Sequence, residues 1–252
     1  MNLYEICFSP TGGTKKVASV LSKVWGCDVK EVDLLKKTPA SVNLTSEDLC
    51  IVAVPSYGGR VPGVALEQLK EFKGNGAKVI LTVVYGNRHI DDTMMELSDT
   101  LKECGFVCVA GIEAVAEHSL MHQFAAGRPD EKDKKELTDF AEQIKKALEE
   151  GNINAQLEFP GSHEYREYNG VPLKPAATGK CTGCGLCAKE CPVNAIPKDN
   201  PKVTDKEKCI SCMHCVAVCP KNARKISKLM TFVASQKMKK TCMDRKANKL
   251  YL

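Results

Sequence analysis

No apolar run in this chain approaches the roughly 18 residues needed to cross a bilayer as a helix, so no membrane span is expected. The opening residues, Met1-Asn2-Leu3-Tyr4-Glu5, lack both the basic stretch and the long apolar core of a secretory signal. A cytoplasmic location is the expectation. Neither G-x-G-x-x-G nor G-x4-G-K-[ST] occurs, which removes the usual dinucleotide loop and the metal-assisted triphosphate loop. Tryptophan is almost missing: Trp25 stands alone, at helical spacing that points to the core. Acidic residues are scarce at one end only. From Lys221 onward ten Lys or Arg face a single acid, Asp244, leaving 26 basic against 30 acidic residues elsewhere, so the net charge of +5 belongs to the C-terminal end. No nucleic-acid-reading motif accompanies that charge, and nucleic acid is not expected as a partner. A solvated helix face and a docking surface for an acidic protein both remain open.

What the chain has in plenty is cysteine, 14 in 252 residues. Eight fall into two copies of C-x2-C-x2-C-x3-C-P, starting 28 residues apart at Cys181 and Cys209. The first copy is Cys181, Cys184, Cys187, Cys191 and Pro192; the second is Cys209, Cys212, Cys215, Cys219 and Pro220. Three cysteines at that step offer thiolates to one face of a cubane, while the fourth, turned away by its proline, serves the other cluster. The expected quartets are therefore Cys181, Cys184, Cys187 and Cys219, and Cys209, Cys212, Cys215 and Cys191. A zinc ribbon needs neither the third cysteine nor the repeated Cys-Pro. The segments after each copy also repeat, Cys191-Pro-Val-Asn-Ala against Cys219-Pro-Lys-Asn-Ala. From about 177 to 226 the chain resembles a bacterial two-cluster ferredoxin, which implies two 4Fe–4S clusters. Gly183, Gly185 and Ala188 leave room around one cluster, whereas Ile210, Met213 and His214 crowd the other, so different potentials are expected. For His214, packing and proton sensing are both open. The other six cysteines lie mostly in apolar stretches, where a thiol packs as a small hydrophobe, as suits a reducing cytoplasm. Oxygen-labile clusters would suit an anaerobic cell.

Ahead of the cysteines, residues 1–150 alternate short apolar strands with helical patterns, the mark of a parallel sheet covered on both faces. Strands are expected at 3–8, 27–32, 49–54, 78–84 and 106–115. Helical spacing joins Val17, Val20, Leu21 and Val24, then Leu66, Leu69 and Phe72, and finally a stripe from Leu137 to Leu148 in a helix over 129–150. The expected class is α/β, a doubly wound flavodoxin-like sheet, followed by a small α+β ferredoxin-like domain at 177–230. Residues 151–176 read as a connecting segment, and 231–252 as a basic tail.

Three loops at the carboxyl ends of these strands carry candidate ligand contacts. After the first strand, Ser9, Thr11, Gly12, Gly13 and Thr14 open a helix, which suits either a phosphate or an ordinary cap and turn. The third strand ends in Ser56, Tyr57, Gly58 and Gly59, and the fourth in Tyr85, Gly86, Asn87 and Arg88. Each sets a tyrosine beside glycine, where a flat ring can be held. Together the loops resemble those of flavodoxins, which implies FMN held by a phosphate loop and two flanking loops, with Tyr57 and Tyr85 as stacking candidates. Flavodoxins are acidic, however, whereas this chain offers Arg60 and Arg88 in the flanking loops. A guanidinium near the flavin favours its anionic reduced form by on the order of 1 kcal/mol. The alternative is that both arginines face solvent.

The two halves together resemble the flavodoxin–ferredoxin fusion family. The resemblance implies an electron carrier relaying between two 4Fe–4S clusters and FMN for a redox partner protein. A flavin-dependent reductase acting on a small substrate and a redox or oxygen sensor are the alternatives, and no catalytic residue is assigned. Glu117-His118-Ser119 and the Ala126–Asp130 stretch also match that family, with His118 either structural or a proton donor.

Overall fold

The computed structural model describes residues 1–36, 42–154 and 157–252. Residues 155 and 156 of the expected connecting segment thus lie outside the described residues. Four βα units and one strand without a helix, β2, build the first domain: β1 (Leu3–Cys7), α1 (Gly13–Ser22), β2 (Val29–Asp33), β3 (Leu49–Pro55), α2 (Gly63–Leu69), β4 (Lys78–Tyr85), α3 (Thr93–Glu103), β5 (Val107–Val115) and α4 (Glu131–Glu150). All five strands pair in parallel, in the order β2-β1-β3-β4-β5. That is the flavodoxin-like order, with its switch point where β1 lies between β2 and β3.

Strands buried on both faces read as apolar runs, and β3 and β4 show why. On one side Ile6, Val52, Leu81 and Val83 pack against α2 and α3 through Leu69, Met94 and Leu97. On the other, Leu3, Ile51, Ala53, Ile80 and Ile112 meet α1 and α4 through Val17, Leu21, Leu137 and Ile144. Trp25, in a short 3-10 turn after α1, packs at the rim of this second core, as its spacing implied. Asp130 caps α4 with a reciprocal capping box to Asp133, about 1 kcal/mol of helix stability.

The cysteine-rich segment is small: β6 (Ala176–Ala177), α5 (Leu186–Lys189), α6 (His214–Ala217) and β7 (Arg224–Lys225), with β6 and β7 antiparallel. The basic end then forms α7 (Lys228–Cys242) and β8 (Lys249–Tyr251). β8 runs antiparallel to β5 and becomes the sixth strand of the first sheet. Polar contacts fasten it. Arg128 is buried against Asp133 at 2.5 and 2.8 Å and donates to the carbonyl of Lys246, while Arg245 bridges Asp130 and Asp133. Asn248 joins the N–H of Val115 to the carboxylates of Asp133 and Glu136. No helix among the described residues is long and apolar enough to cross a membrane.

Candidate functional site

The carboxyl ends of β1, β3 and β4 open onto a cavity of about 700 Å³. Thr11, Gly13 and Thr14 form its first wall. Gly12, left-handed at φ 86°, caps α1 without a side-chain partner, so the first N–H groups of α1 are available to an anion. Ser9 is spent on the turn itself, its hydroxyl accepting from the N–H of Lys15 at 2.9 Å. The Lys15 ammonium turns away from the cavity to Glu5 and Glu31. Neutral donors and a helix end therefore face any anion here.

The second wall is Ser56, Tyr57 and Gly58. Tyr57 and Arg60 exchange both backbone hydrogen bonds, at 2.9 and 3.2 Å, around Gly58 and Gly59, whose φ values of 62° and 90° a side chain would strain. Gly58 has a second reason to be bare: a Cβ there would lie 2.1 Å from the ring of Tyr168. Gly59 stays behind the turn, against Asp91 and Arg166. Arg60 does not reach the cavity either. Its guanidinium is bidentate to buried Glu96 at 2.5 and 2.9 Å and donates to the carbonyl of Arg166. Of the two arginines expected near a flavin, only Arg88 lines the cavity, and it is paired with Asp91.

The third wall is Tyr85, Gly86 and Arg88. Tyr85 belongs to the core below, and burial together with nearby Glu113 holds its phenol in the neutral form. Asn87 faces the other way. At 2% exposed it donates to the carbonyls of Cys242 and Asp244 and accepts from the N–H of Lys246, so it fastens the C-terminal segment beneath the cavity. Gly86 makes room for His118, whose ring carbon would sit 2.7 Å from an added Cβ. The N–H groups of Leu120 and Met121 donate to His118 Nδ1 at 3.2 and 3.3 Å. The neutral ring must then carry its proton on Nε2. Burial, with the charge of His122, lowers the His118 pKa to about 4, so it stays neutral at physiological pH.

Elements that local periodicity did not mark close the cavity. Tyr168, Val171 and Leu173 come from the connecting segment, Leu229, Val233 and Met238 from α7, and Ile210 and Ser211 from the second cysteine loop. The aromatic faces available there are Tyr57 and Tyr168, both kept neutral by burial.

The eight motif cysteines ring two further small cavities. One is walled by Cys181, Cys184, Cys187 and Cys219, the other by Cys191, Cys209, Cys212 and Cys215. Each set joins three cysteines of one motif copy to the fourth of the other copy. Among the described residues no three His, Cys, Asp or Glu converge on a single-ion site; the thiols instead surround a volume. The N–H of Ala195 points at Cys191 Sγ and that of Ala223 at Cys219 Sγ, each at 3.2 Å. Burial disfavours the Cys219 thiolate, yet the N–H groups of Ala223, Lys221 and Arg224 outweigh it and hold the pKa below its ordinary value. Four thiols around a small chamber, with N–H groups aimed at sulfur, fit an iron–sulfur group.

Two of the three chambers share a wall. Ile210 lines both the large cavity and the Cys191–Cys209–Cys212–Cys215 chamber. His214, at the start of α6, donates through Nδ1 to the carbonyl of Pro10 at 2.7 Å, tying that quartet to the loop after β1. We call this quartet inner and the Cys181–Cys184–Cys187–Cys219 quartet outer.

Residues 180–223 match the family described as 4Fe-4S dicluster domain. No curated protein matches the chain. Among solved structures, a flavodoxin of Streptococcus pneumoniae is 21% identical over 57% of this chain and 98% of its own, with a TM-score of 0.40. The Megasphaera elsdenii flavodoxin gives 18% over 57% and 99%, at 0.35. Rubredoxin oxygen:oxidoreductase of the anaerobe Desulfovibrio gigas gives 17% over 61% and 37%, at 0.41. The strand order carries the fold assignment, and residues 180–223 carry the iron–sulfur one. The chain thus has a flavodoxin-like sheet followed by a segment that matches a 4Fe–4S dicluster domain.

Proposed function

We propose that this protein is a cytoplasmic electron relay that holds FMN in the large cavity and one 4Fe–4S cluster in each cysteine quartet, serving a redox partner protein. The observation that carries this reading is the wall shared at Ile210 between the large cavity and the inner chamber. Clusters exchange single electrons and a flavin holds one or two, so adjacent sites let a chain gather electrons singly and pass them on in pairs.

Cys181, Cys184, Cys187 and Cys219 would hold the outer cluster, and Cys191, Cys209, Cys212 and Cys215 the inner one. Thr11, Gly12, Gly13 and Thr14 would receive the phosphate at the N-terminus of α1, with Ser9 shaping that loop. Ser56, Tyr57, Gly58, Tyr85, Gly86 and Arg88 would flank the ring system; Gly59 and Asn87 act from behind by setting the loops. His118 would present a fixed Nε2–H on the cavity side, because its Nδ1 is occupied by backbone donors. Tyr57 and Tyr168 would pack on the ring and keep water away from it.

A second reading, reduction of a small apolar substrate, draws on the wall supplied by α7 through Leu229, Met230 and Val233, which gives the cavity an apolar side away from the three loops. An anaerobic reductive titration of the purified holoprotein tests both. A relay takes up about four electrons per chain, one per cluster and two at the flavin. It then returns them to a protein or dye acceptor, and turnover of small quinones stays at the level of free FMN. Clusters without flavin would overturn the assignment of the large cavity, and saturable substrate turnover would favour the reductase.

A further inference from the structure

Among the described residues, the largest fully buried side chain belongs to a cation, Arg224, at 1% exposed. Its guanidinium donates to the carbonyls of Pro201 at 2.8 Å and Pro175 at 3.2 Å and to the hydroxyl of Thr204. It also lies 3.8 Å from Cys187 Sγ, and its charge favours the thiolates of Cys219 in the same quartet and of Cys215 in the inner one. No carboxylate is among these partners, and Nε has no hydrogen-bond partner among the described residues. An arginine does not shed its proton, so a full positive charge sits in an apolar interior facing neutral acceptors and sulfur. Such an arrangement is expensive unless an anion shares the space.

The internal repeat shows that the charge is not required by the fold. Cys191-Pro-Val-Asn-Ala195 leads to Ile196, and Cys219-Pro-Lys-Asn-Ala223 leads to Arg224. The backbones correspond: Asn194 and Asn222 are left-handed at φ 50° and 47°, and each alanine N–H points at its cysteine sulfur at 3.2 Å. Both following side chains are buried. Ile196 lines the inner chamber, and Arg224 lines the outer one. One half of the repeat thus fills its chamber wall with hydrocarbon and the other with a guanidinium.

We propose that Arg224 is the internal counter-charge of the outer iron–sulfur cluster and sets its reduction potential above that of the inner cluster. This rests on the iron–sulfur reading of the two quartets. Reduction places one electron on the cluster, no bond breaks, and no proton moves because the guanidinium stays charged. The buried cation faces more negative charge after the electron arrives than before, so it favours the reduced form. The electron comes from the partner donor, or from dithionite in the experiment. Electrons would then rest on the outer cluster and reach the flavin by way of the more reducing inner one.

The test uses anaerobic holoprotein in four forms: wild type, Arg224→Ile, Arg224→Gln and Arg224→Lys. Iron and acid-labile sulfide are assayed first, followed by an EPR-monitored potentiometric titration. Wild type is expected to show two separated cluster steps. Arg224→Gln, which keeps a polar group but no charge, should move the upper step downward toward the lower one, and Arg224→Lys should hold it near the wild-type position. Arg224→Ile should bring the steps together, as the repeat's own residue at both sites. If Arg224→Ile does not retain its clusters, the Gln and Lys pair still decides. Equal potentials for Gln and Lys at full iron content would overturn the proposal, as would movement of the lower step alone. Wild-type protein without cluster iron would instead sink the iron–sulfur reading beneath it.

Discussion

In the outer cysteine loop the two left-handed positions are glycines, Gly183 and Gly185, at φ 76° and 77°. In the inner loop the equivalent positions are Ser211 and Met213, at φ 57° and 63°. One backbone path is thus built twice, once at little conformational cost and once against a strain of roughly 1–2 kcal/mol at each residue with a Cβ. The environments differ in the same sense. The outer quartet has one buried thiol, Cys187, and one exposed thiol, Cys184, whereas the inner quartet has two buried thiols, Cys212 and Cys215, and no exposed one. The inner loop needs side chains because it is a wall: Ile210 and Ser211 face the large cavity, and Met213 lines the inner chamber. The outer loop has no such neighbour and can remain glycine. The spacing of cysteines determines where iron would sit; the residues between them decide what each site faces.

The largest effects should come from breaking one quartet at a time. Either Cys184→Ser or Cys212→Ser should lower the iron content by about half, since each removes a ligand of one of two clusters. Only Cys212→Ser should also weaken flavin binding, by about tenfold, because the loop carrying Ile210 and Ser211 loses its anchor. Iron assay and flavin titration of the two variants check this, and equal flavin affinity would dissolve the distinction between inner and outer.

The cavity beside the inner quartet should also carry a pH response that the outer quartet lacks. Folding lowers the His118 pKa from about 6.5 to about 4. Below the unfolded value the unfolded chain takes up a proton that the folded chain refuses, so acid favours unfolding. Stability should fall by up to about 3 kcal/mol as pH drops from 6.5 toward 4. His118→Asn should flatten that slope in anaerobic denaturant titrations.

Exchanging residues between the loops has a smaller expected effect. A Cβ at Gly183 meets nothing within 4 Å, so Gly183→Ser should cost only the backbone strain, about 1 kcal/mol. Ser211→Gly should recover somewhat less, because the Ser211 hydroxyl donates to the carbonyl of Val171 at 3.4 Å. Rates of cluster loss in guanidinium would rank the two. Smallest of all, His214→Ala removes the bond to Pro10, about 1 kcal/mol, and should weaken flavin binding by a few fold while leaving iron content unchanged.

The parts of the fold that could be read beforehand are those whose physics is local. Buried parallel strands are apolar runs, and the five expected strands match the observed ones within one or two residues at each end. The cysteine step encodes which thiols can share a chamber. Other features depend on distant partners. Helix α3 escaped because its inward face includes Thr93, Glu96, Ser98 and Thr100, which blur the apolar stripe. The basic end reads as a tail, since nothing in Lys228–Tyr251 announces that Asn87, Arg128 and Asn248 fasten it or that β5 accepts a sixth strand. Tyr168 lies in a stretch without periodicity and is recognisable only once Gly58 is seen beneath its ring. Arg60 lay in an expected flanking loop, but the carboxylate that claims it, Glu96, is 36 residues away. Arg224 did leave a trace, as the residue that breaks the repeat after Ala223.

An anaerobic crystal structure of the holoprotein, with anomalous scattering recorded at the iron edge, tests the central claim most directly. The account predicts iron in both chambers, one cluster held by each crossed quartet, and a flavin in the large cavity with its phosphate at Thr11–Thr14 and its ring on the Ile210 side of the inner cluster. Iron at one quartet only, a single metal ion in place of a cluster, or a flavin bound away from the inner chamber would contradict it.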